Sequence, residues 1–301
     1  MNKATDWLYI LTQENGDAPN LGANDGARLI PVSMTDYRDF RPTIQLASTL
    51  FHHHSYYQDF GSYDQSLDFF GIEKINRTNF DLPTKNKNFS QSGLIVAKHL
   101  DFFLAFKLPI FKFRPSQCDA LHLDIWWNGE NILRDGGTYS YNSTTNDLEY
   151  FAGVASHNTV QFDNHSQMPR LSRFLFGAWL KPIGLMYSPE NFSCGYQDYW
   201  NAQHHRKIEL SNKQIKVTDK VSSFKEQAIL RWRLSPDDWH LNGNYLSNGK
   251  IAIEVSASGS ISINLVEGEE SRYYYQKTKL PVLEVRTSKP TTIFTVIQDL
   301  T

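Results

Sequence analysis

The residues best suited to chemistry gather near the middle of the chain. Ser156-His157-Asn158-Thr159 stands at the entrance to a strand-like segment. An imidazole there can act as a general base or hold a substrate anion near neutral pH, and the plainer reading has His157 satisfying backbone groups at a strand end. Just upstream, residues 131–142 read NILRDGGTYSYN. Gly136-Gly137 supplies a tight turn, and Tyr139 and Tyr141 project to one side if the segment is extended. Phenols there can transfer protons or simply pack. Arg134-Asp135 reads equally as an internal ion pair that stiffens the turn.

Two further stretches carry polar groups in ordered surroundings. In residues 20–28, NLGANDGAR, the Asn24-Asp25 pair between glycines can hold a substrate hydroxyl or brace its own loop through Asx turns, and bracing is preferred. In Tyr37-Arg38-Asp39-Phe40-Arg41 two guanidiniums can grip a carboxylate or sulfate bidentately, or cross-link neighbouring parts of the fold. Metal chemistry has weaker support. Asp163, His165 and His204-His205 form no compact ligand motif, and the His52-His53-His54 run reads more readily as a solvated polar cluster, so no metal ligand is assigned. The sequence holds no Gly-rich phosphate loop, HExxH, GxSxG or dinucleotide fingerprint, which removes the commonest nucleotide, zinc-protease and serine-hydrolase readings.

The elements that must position these residues fall into two parts. From Ala4 to about Asp81 the pattern is helical. TDWLYILTQ places Trp7, Leu8, Ile10 and Leu11 on one face with Thr5 or Asp6 as cap, a second helix opens at Arg41-Pro42, and a short third covers residues 64–70. From about Gly93 the period becomes two. LIVAKH, DFFLAFKL, LHLDIWW, HNTVQFD, RKIELS, QIKVTDKV, AILRWRL, KIAIEVS, SISINLV and TTIFTVI are short, β-branched or aromatic, and divided by turn residues. Ten such strands without long intervening helices predict a mainly β fold, a large antiparallel sandwich behind a small helical part. The polar stretch 82–92 marks the boundary, giving domains 1–85 and 86–301.

At 301 residues, with 40% hydrophobic and 21% charged residues and a formal net charge of −2, the chain can bury a sizeable core and has no basic run. Nucleic acid and anionic membrane surfaces are therefore not expected as partners. No apolar run approaches membrane-spanning length, the opening MNKATDWLYILTQENGD lacks the apolar core of an export signal, and two cysteines exclude a disulfide framework.

Four segments together resemble the heparinase II/III family of polysaccharide lyases. They are PNLGANDGA with DYRDFRPTIQLAS, then DALHLDIWWNGENILRDGGTYSYN, then YFAGVASHNTVQFDNHSQMPR, and finally SRYYYQ. The resemblance implies an (α/α) toroid followed by a β-sandwich, with β-elimination of an acidic, uronate-containing polysaccharide in the cleft between them. It matches His157 to a sandwich histidine that reaches the cleft and places Tyr141 beside it as a second catalytic group. Asn158, Asn24, Arg41, Tyr139 and Arg134 follow as substrate-binding residues. Family members carry more helices before the NDGA segment, with a group that neutralises the carboxylate and a tyrosine acid and base. Neither has a match in this sequence, so the expectation is the last helices of a truncated toroid plus the sandwich, with little or no turnover alone. The resemblance further implies a periplasmic or cell-envelope bacterial protein, a toroid domain or subunit as partner, and, in some members, a structural zinc-like ion, with His205 at about the place of one late histidine ligand; no full ligand set is matched and no cofactor is assigned. The rival expectation is a non-catalytic carbohydrate-binding or structural sandwich using Trp126, Trp127, Trp179, Trp200 and Tyr273 to Tyr275, most of which should be core.

Overall fold

Alternation of inward and outward side chains builds most of this molecule. In the strand Gln203–Ser211 the buried positions are His204, Arg206, Ile208 and Leu210, and in its neighbour Gln214–Ser222 they are Ile215, Val217, Asp219 and Val221. Two of these inward residues, Arg206 and Asp219, are charged and pair with each other. The computed structural model describes residues 1–77 and 80–301.

The described residues form two compact units, Met1–Pro19 with Gly26–Lys85, and Asn20–Asp25 with Asn86–Thr301. The division after Lys85 lies inside the polar stretch 82–92. The loop Asn20–Asp25, expected with the helices, instead belongs to the second unit.

The first unit contains α1 (Asn2–Leu11), α2 (Arg41–His52) and α3 (Gln65–Phe70). Helix α1 starts earlier than the expected Thr5 or Asp6 cap. Thr5 lies inside its first turn with Oγ1 turned toward the Met1 carbonyl, and Asp6 accepts the Tyr56 hydroxyl at 2.6 Å. Pro42 sits in the first turn of α2, where a missing N–H costs nothing. These helices do not close a toroid among the described residues. Several large apolar side chains of the unit face solvent, among them Leu50, Phe51, Phe69 and Phe70.

The second unit is an antiparallel β-sandwich. A five-stranded meander runs from Lys87–Phe89 through Leu94–His99, Phe102–Lys107 and Leu123–Trp127 to Glu130–Leu133. An eight-stranded sheet has Thr291–Asp299 and Gln214–Ser222 at its centre and Ile183–Ser188 at one edge. A four-stranded sheet orders Ser262–Glu270, Thr278–Thr287, Ala228–Arg233 and Val160–Phe162. One continuous apolar core joins all three. Phe106 of the meander packs on Phe192 with ring centres 5.8 Å apart, and Trp232 Nε1 donates to Thr295 Oγ1 across the sandwich at 3.2 Å. Trp126 and Trp127 are buried in this core, as expected, whereas Trp179 is partly exposed.

One α-helix lies inside this unit among the described residues, α4 (Thr145–Ala152). Thr144 caps it, its Oγ1 accepting the Asp147 N–H at 3.2 Å while donating to Asp147 Oδ2 at 3.0 Å. The sequence pattern Thr-x-x-Asp is the signal for this helix.

Candidate functional site: a guanidinium-lined cleft and a buried histidine cluster

Gly137 shapes the first part of the site. Its φ is +77°, and a Cβ there would meet the Ser271 carbonyl oxygen at 2.2 Å, so only glycine fits. The chain then runs along the loop Asn20–Asp25. Thr138 Oγ1 accepts the Asn24 N–H at 3.1 Å, and the Tyr141 hydroxyl donates to the Ala23 carbonyl at 3.0 Å. Thus Asn24, Tyr139 and Tyr141 are brought into one region, and Asn24 braces the loop through its backbone. Tyr139 adopts a left-handed φ of 61°, which breaks the extended run. It stacks on Tyr275 at 5.5 Å beneath the Lys277 ammonium, while Tyr141 packs against Phe174 and Tyr274. The expectation that both phenols share one side fails for that reason.

Tyr141 opens onto a cleft of about 290 Å³ whose wall includes Arg114, Arg170, Arg173 and Phe174. Arg170 donates to the Leu148 and Arg173 carbonyls, both at 2.8 Å, and Arg173 donates to the Tyr141 carbonyl at 3.0 Å. These bonds orient the guanidiniums without neutralising them. Among the described residues no carboxylate lies within ion-pairing distance of the three, and Arg114 and Arg173 are exposed. Such a wall favours an anionic ligand. Burial, then the Asp25 charge and the Tyr274 phenol, raise the Tyr141 hydroxyl above its ordinary value, so it keeps its proton at neutral pH.

A second constellation lies wholly inside the sandwich. His157 Nδ1 faces Asp135 Oδ2 at 2.9 Å, and His157 Nε2 faces Ser156 Oγ at 3.2 Å. Burial alone would raise the Asp135 carboxyl, but the His157 and His122 rings and the Gly137 N–H more than offset it and hold it at about 2. The order Ser, His, Asp is that of a nucleophile relay, yet Ser156 and His157 are fully buried and Asp135 nearly so, so no substrate reaches it. This corrects the expected place of His157. It does not reach the cleft, because both ring nitrogens are engaged within the core.

Asn158 is likewise not a lining residue. Its Nδ2 donates to the Leu123 and Arg134 carbonyls at 2.9 and 3.3 Å, and its Oδ1 accepts the Arg233 N–H at 2.7 Å, so it locks three strands together. Arg134 pairs with Glu270 at 2.8 Å rather than with the adjacent Asp135. Arg41 belongs to the first unit, where Asp39 holds it at 2.8 Å and raises its pKa.

With this fold and site in view, the comparison with known families is decisive. The model for the heparinase II/III-like C-terminal domain matches residues 81–292. The chain belongs to that family. Solved structures similar to this heparinase II/III-like chain include a heparinase III gene product, at a TM-score of 0.71 and 16% identity over 98% of this chain and 45% of that one. Another is the heparan sulfate lyase HepC from Pedobacter heparinus, at 0.67 and 17% identity over 97% of this chain and 45% of the other. A further heparinase III structure gives 0.67 and 15% identity over 99% and 47%. At these identities the likeness is one of fold, and the chain spans less than half the length of these structures. No curated protein sequence matches it.

The structural ion implied by the resemblance finds a suitable donor set here. Ligand atoms of His122, Asp135 and His157 all lie within 4.8 Å of one another, and all three residues are buried. His122 Nε2 and Asp124 Oδ2 are buried without a hydrogen-bond partner among the described residues, at 3.6 Å from each other, and His122 Nε2 lies 3.7 Å from Asp135 Oδ2. Two imidazoles and a carboxylate suit a zinc-like ion, and full burial suits a structural one that cross-links three segments. Contacts at both rings would have to reset, since His157 Nδ1 already faces Asp135 Oδ2 at 2.9 Å and its Nε2 faces Ser156 Oγ at 3.2 Å. The Asn158 N–H donates to His122 Nδ1 at 2.9 Å, which puts the proton of a neutral ring on Nε2, where the ion would bind.

The sequence reading missed His122, Asp124 and the three cleft arginines. For the first two a signal exists, since they are titratable residues set in the apolar run LHLDIWW. The other metal candidates are otherwise employed. Asp163 caps the backbone N–H groups of Lys225, Glu226 and Gln227, His165 stacks on Trp200, His204 bonds Asp219 at 2.6 Å, and His52 pairs with Asp6 at 3.1 Å.

Proposed function

We propose that this chain is the C-terminal part of a lyase that cleaves uronate-containing acidic polysaccharide by β-elimination, and that by itself it binds the polysaccharide with little or no turnover. The observation that carries the reading is the Tyr141 cleft, where three guanidiniums without carboxylate partners adjoin a phenol that keeps its proton. Elimination requires that the uronate carboxylate be neutralised, that a base remove the C5 proton and that an acid protonate the leaving O4. Arg114 and Arg173 supply the first requirement and Tyr141 the third. The cleft wall contains no carboxylate, histidine or lysine among the described residues, so the base must come from elsewhere. A lyase named for heparan sulfate among the similar structures supports the same substrate class.

Missing one proton-transfer group costs roughly 10²–10⁴-fold in rate. Incubating the purified chain with acidic polysaccharides should therefore give retention on an affinity gel without unsaturated uronate product. Appreciable product from the chain alone would overturn the inactivity, and absence of retention would overturn the binding reading. The alternative, a module that only binds carbohydrate, is favoured by the burial of His157. It predicts that adding a helical toroid domain from a related lyase restores no turnover.

The exposed apolar side chains on α2 and α3 support a further helical domain or subunit as partner, in keeping with the family's toroid. Self-association of the chain in size-exclusion chromatography, relieved by Phe69→Ser and Phe70→Ser, is the expected sign. Residence in the periplasm or cell envelope is proposed on the family resemblance and is tested by fractionating the host cells.

A further inference from the structure

Arg206 is wholly buried on the strand Gln203–Ser211. Its Nε and Nη2 donate to the two oxygens of Asp219 at 2.7 and 3.2 Å, and its guanidinium lies 4.7 Å from the centre of the Trp232 ring. The remaining nitrogen does something else. Nη1 leaves the sheet and donates to two main-chain carbonyls, Leu121 at 2.6 Å and Asn158 at 2.7 Å.

Those two carbonyls belong to the residue just before His122 and the residue just after His157. Leu121 has a φ of 60°, a left-handed conformation that is strained for a leucine and persists only where its surroundings hold it. Asn158 also pairs with Leu123, its carbonyl accepting the Leu123 N–H at 3.3 Å and its Nδ2 donating to the Leu123 carbonyl at 2.9 Å, so the two histidine-bearing loops meet at the point Arg206 grips without involving the His122 ring. A guanidinium can serve a carboxylate and two carbonyls at once because its five donors are fixed in one plane, which an ammonium cannot reproduce. The Asp219 ion pair by itself does not call for the Nη1 contacts, which reach out of the sheet to the two loops.

We propose that Arg206 is a positioning residue, fixing the backbone at Leu121 and Asn158 so that His122 and His157 meet Asp135 at the separation a divalent ion requires. The inference rests on the metal reading of that cluster. Second contacts of this kind are worth about 10–100-fold in metal affinity.

The test uses Co²⁺ as probe on the whole chain after chelator treatment, read by its visible d–d absorption. Wild type should bind Co²⁺, and Arg206→Lys should bind it about 10–100-fold more weakly with an altered band while keeping the far-ultraviolet circular dichroism of wild type. The double variant Arg206→Met/Asp219→Leu, which leaves no unpaired charge, should show the same loss. If both variants fold and bind Co²⁺ like wild type, with the same band, the positioning role is overturned. Wild-type NMR covers the case in which neither variant folds. The Arg206 Nε–H resonance should shift on adding Zn²⁺, and an unmoved resonance in a chain that does bind Zn²⁺ overturns the proposal. A wild-type chain that takes up neither ion removes the metal reading and the proposal with it, an outcome distinct from equal binding by wild type and variants.

Discussion

Asp219→Asn should destabilise the sandwich by about 3 kcal/mol at neutral pH. The carboxylate is fully buried, accepts His204 Nε2 at 2.6 Å and Arg206 Nε at 2.7 Å, and is the only carboxylate paired with Arg206 among the described residues. Removing one partner of a buried ion pair costs about 3–5 kcal/mol, because the surviving charge stays out of water. The amide keeps the volume and one accepting oxygen, which places the loss at the lower end. With a urea slope of about 3 kcal/mol/M the unfolding midpoint falls by about 1 M, followed through tryptophan fluorescence because Trp232 lies against the guanidinium. Arg206→Met/Asp219→Leu removes the unpaired charge but leaves the Leu121 and Asn158 carbonyls and His204 Nε2 without these partners, so it should recover only part of the loss. The pH dependence has a definite sign. Burial raises the Asp219 carboxyl, but Arg206 and His204 more than offset it and hold it below its ordinary 3.8. Its contribution is therefore present above about pH 4 and fades as pH falls below that value, so the gap between wild type and Asp219→Asn narrows in acid. A loss under 1 kcal/mol at pH 7, or a gap unchanged between pH 7 and pH 3, would refute the reasoning.

Other expectations follow from single contacts. Burial pushes the Cys118 thiol up to about 12 and the Cys194 thiol up to about 11, so a thiol reagent at pH 8 should label neither in the native chain and both in guanidinium. Thr144→Ala removes the cap of α4 and should cost about 1 kcal/mol, seen as faster amide exchange through that helix. Gly137→Ala forces a Cβ against the Ser271 carbonyl oxygen at a φ of +77°, and a melting temperature within 1 °C of wild type would contradict that account.

How much of this was legible in the sequence depended on whether a residue's environment leaves a local trace. Gln203–Ser211 and Gln214–Ser222 alternate because one face meets the core and the other water, and both were readable. Asn191–Gln197 escaped notice. Five successive residues from Phe192 to Tyr196 are buried, and Ser193 and Gly195 dilute the apolar signal. Thr278–Thr287 was hidden by Pro281, which a central strand tolerates because its carbonyl still accepts the Leu234 N–H and the Ala228–Arg233 partner strand ends beside it. At the site, residue types were visible but their assembly was not. His157 looked available because it precedes a strand, and only the tertiary pairing with Asp135 shows it sealed. Arg114, Arg170 and Arg173 are distant in sequence from Tyr141 and converge only once α4 and the Asn20–Asp25 loop are in place.

The proposed capture of an acidic polysaccharide in the Tyr141 cleft depends on the Arg114 and Arg173 guanidiniums. The most direct measurement is calorimetric titration of the chain with heparan sulfate, comparing wild type with the double variant Arg114→Ala/Arg173→Ala, both of whose sites are solvent-exposed. The account predicts binding that weakens as salt rises and falls at least tenfold in the variant. No binding by wild type, or equal affinity in the two proteins, would contradict it.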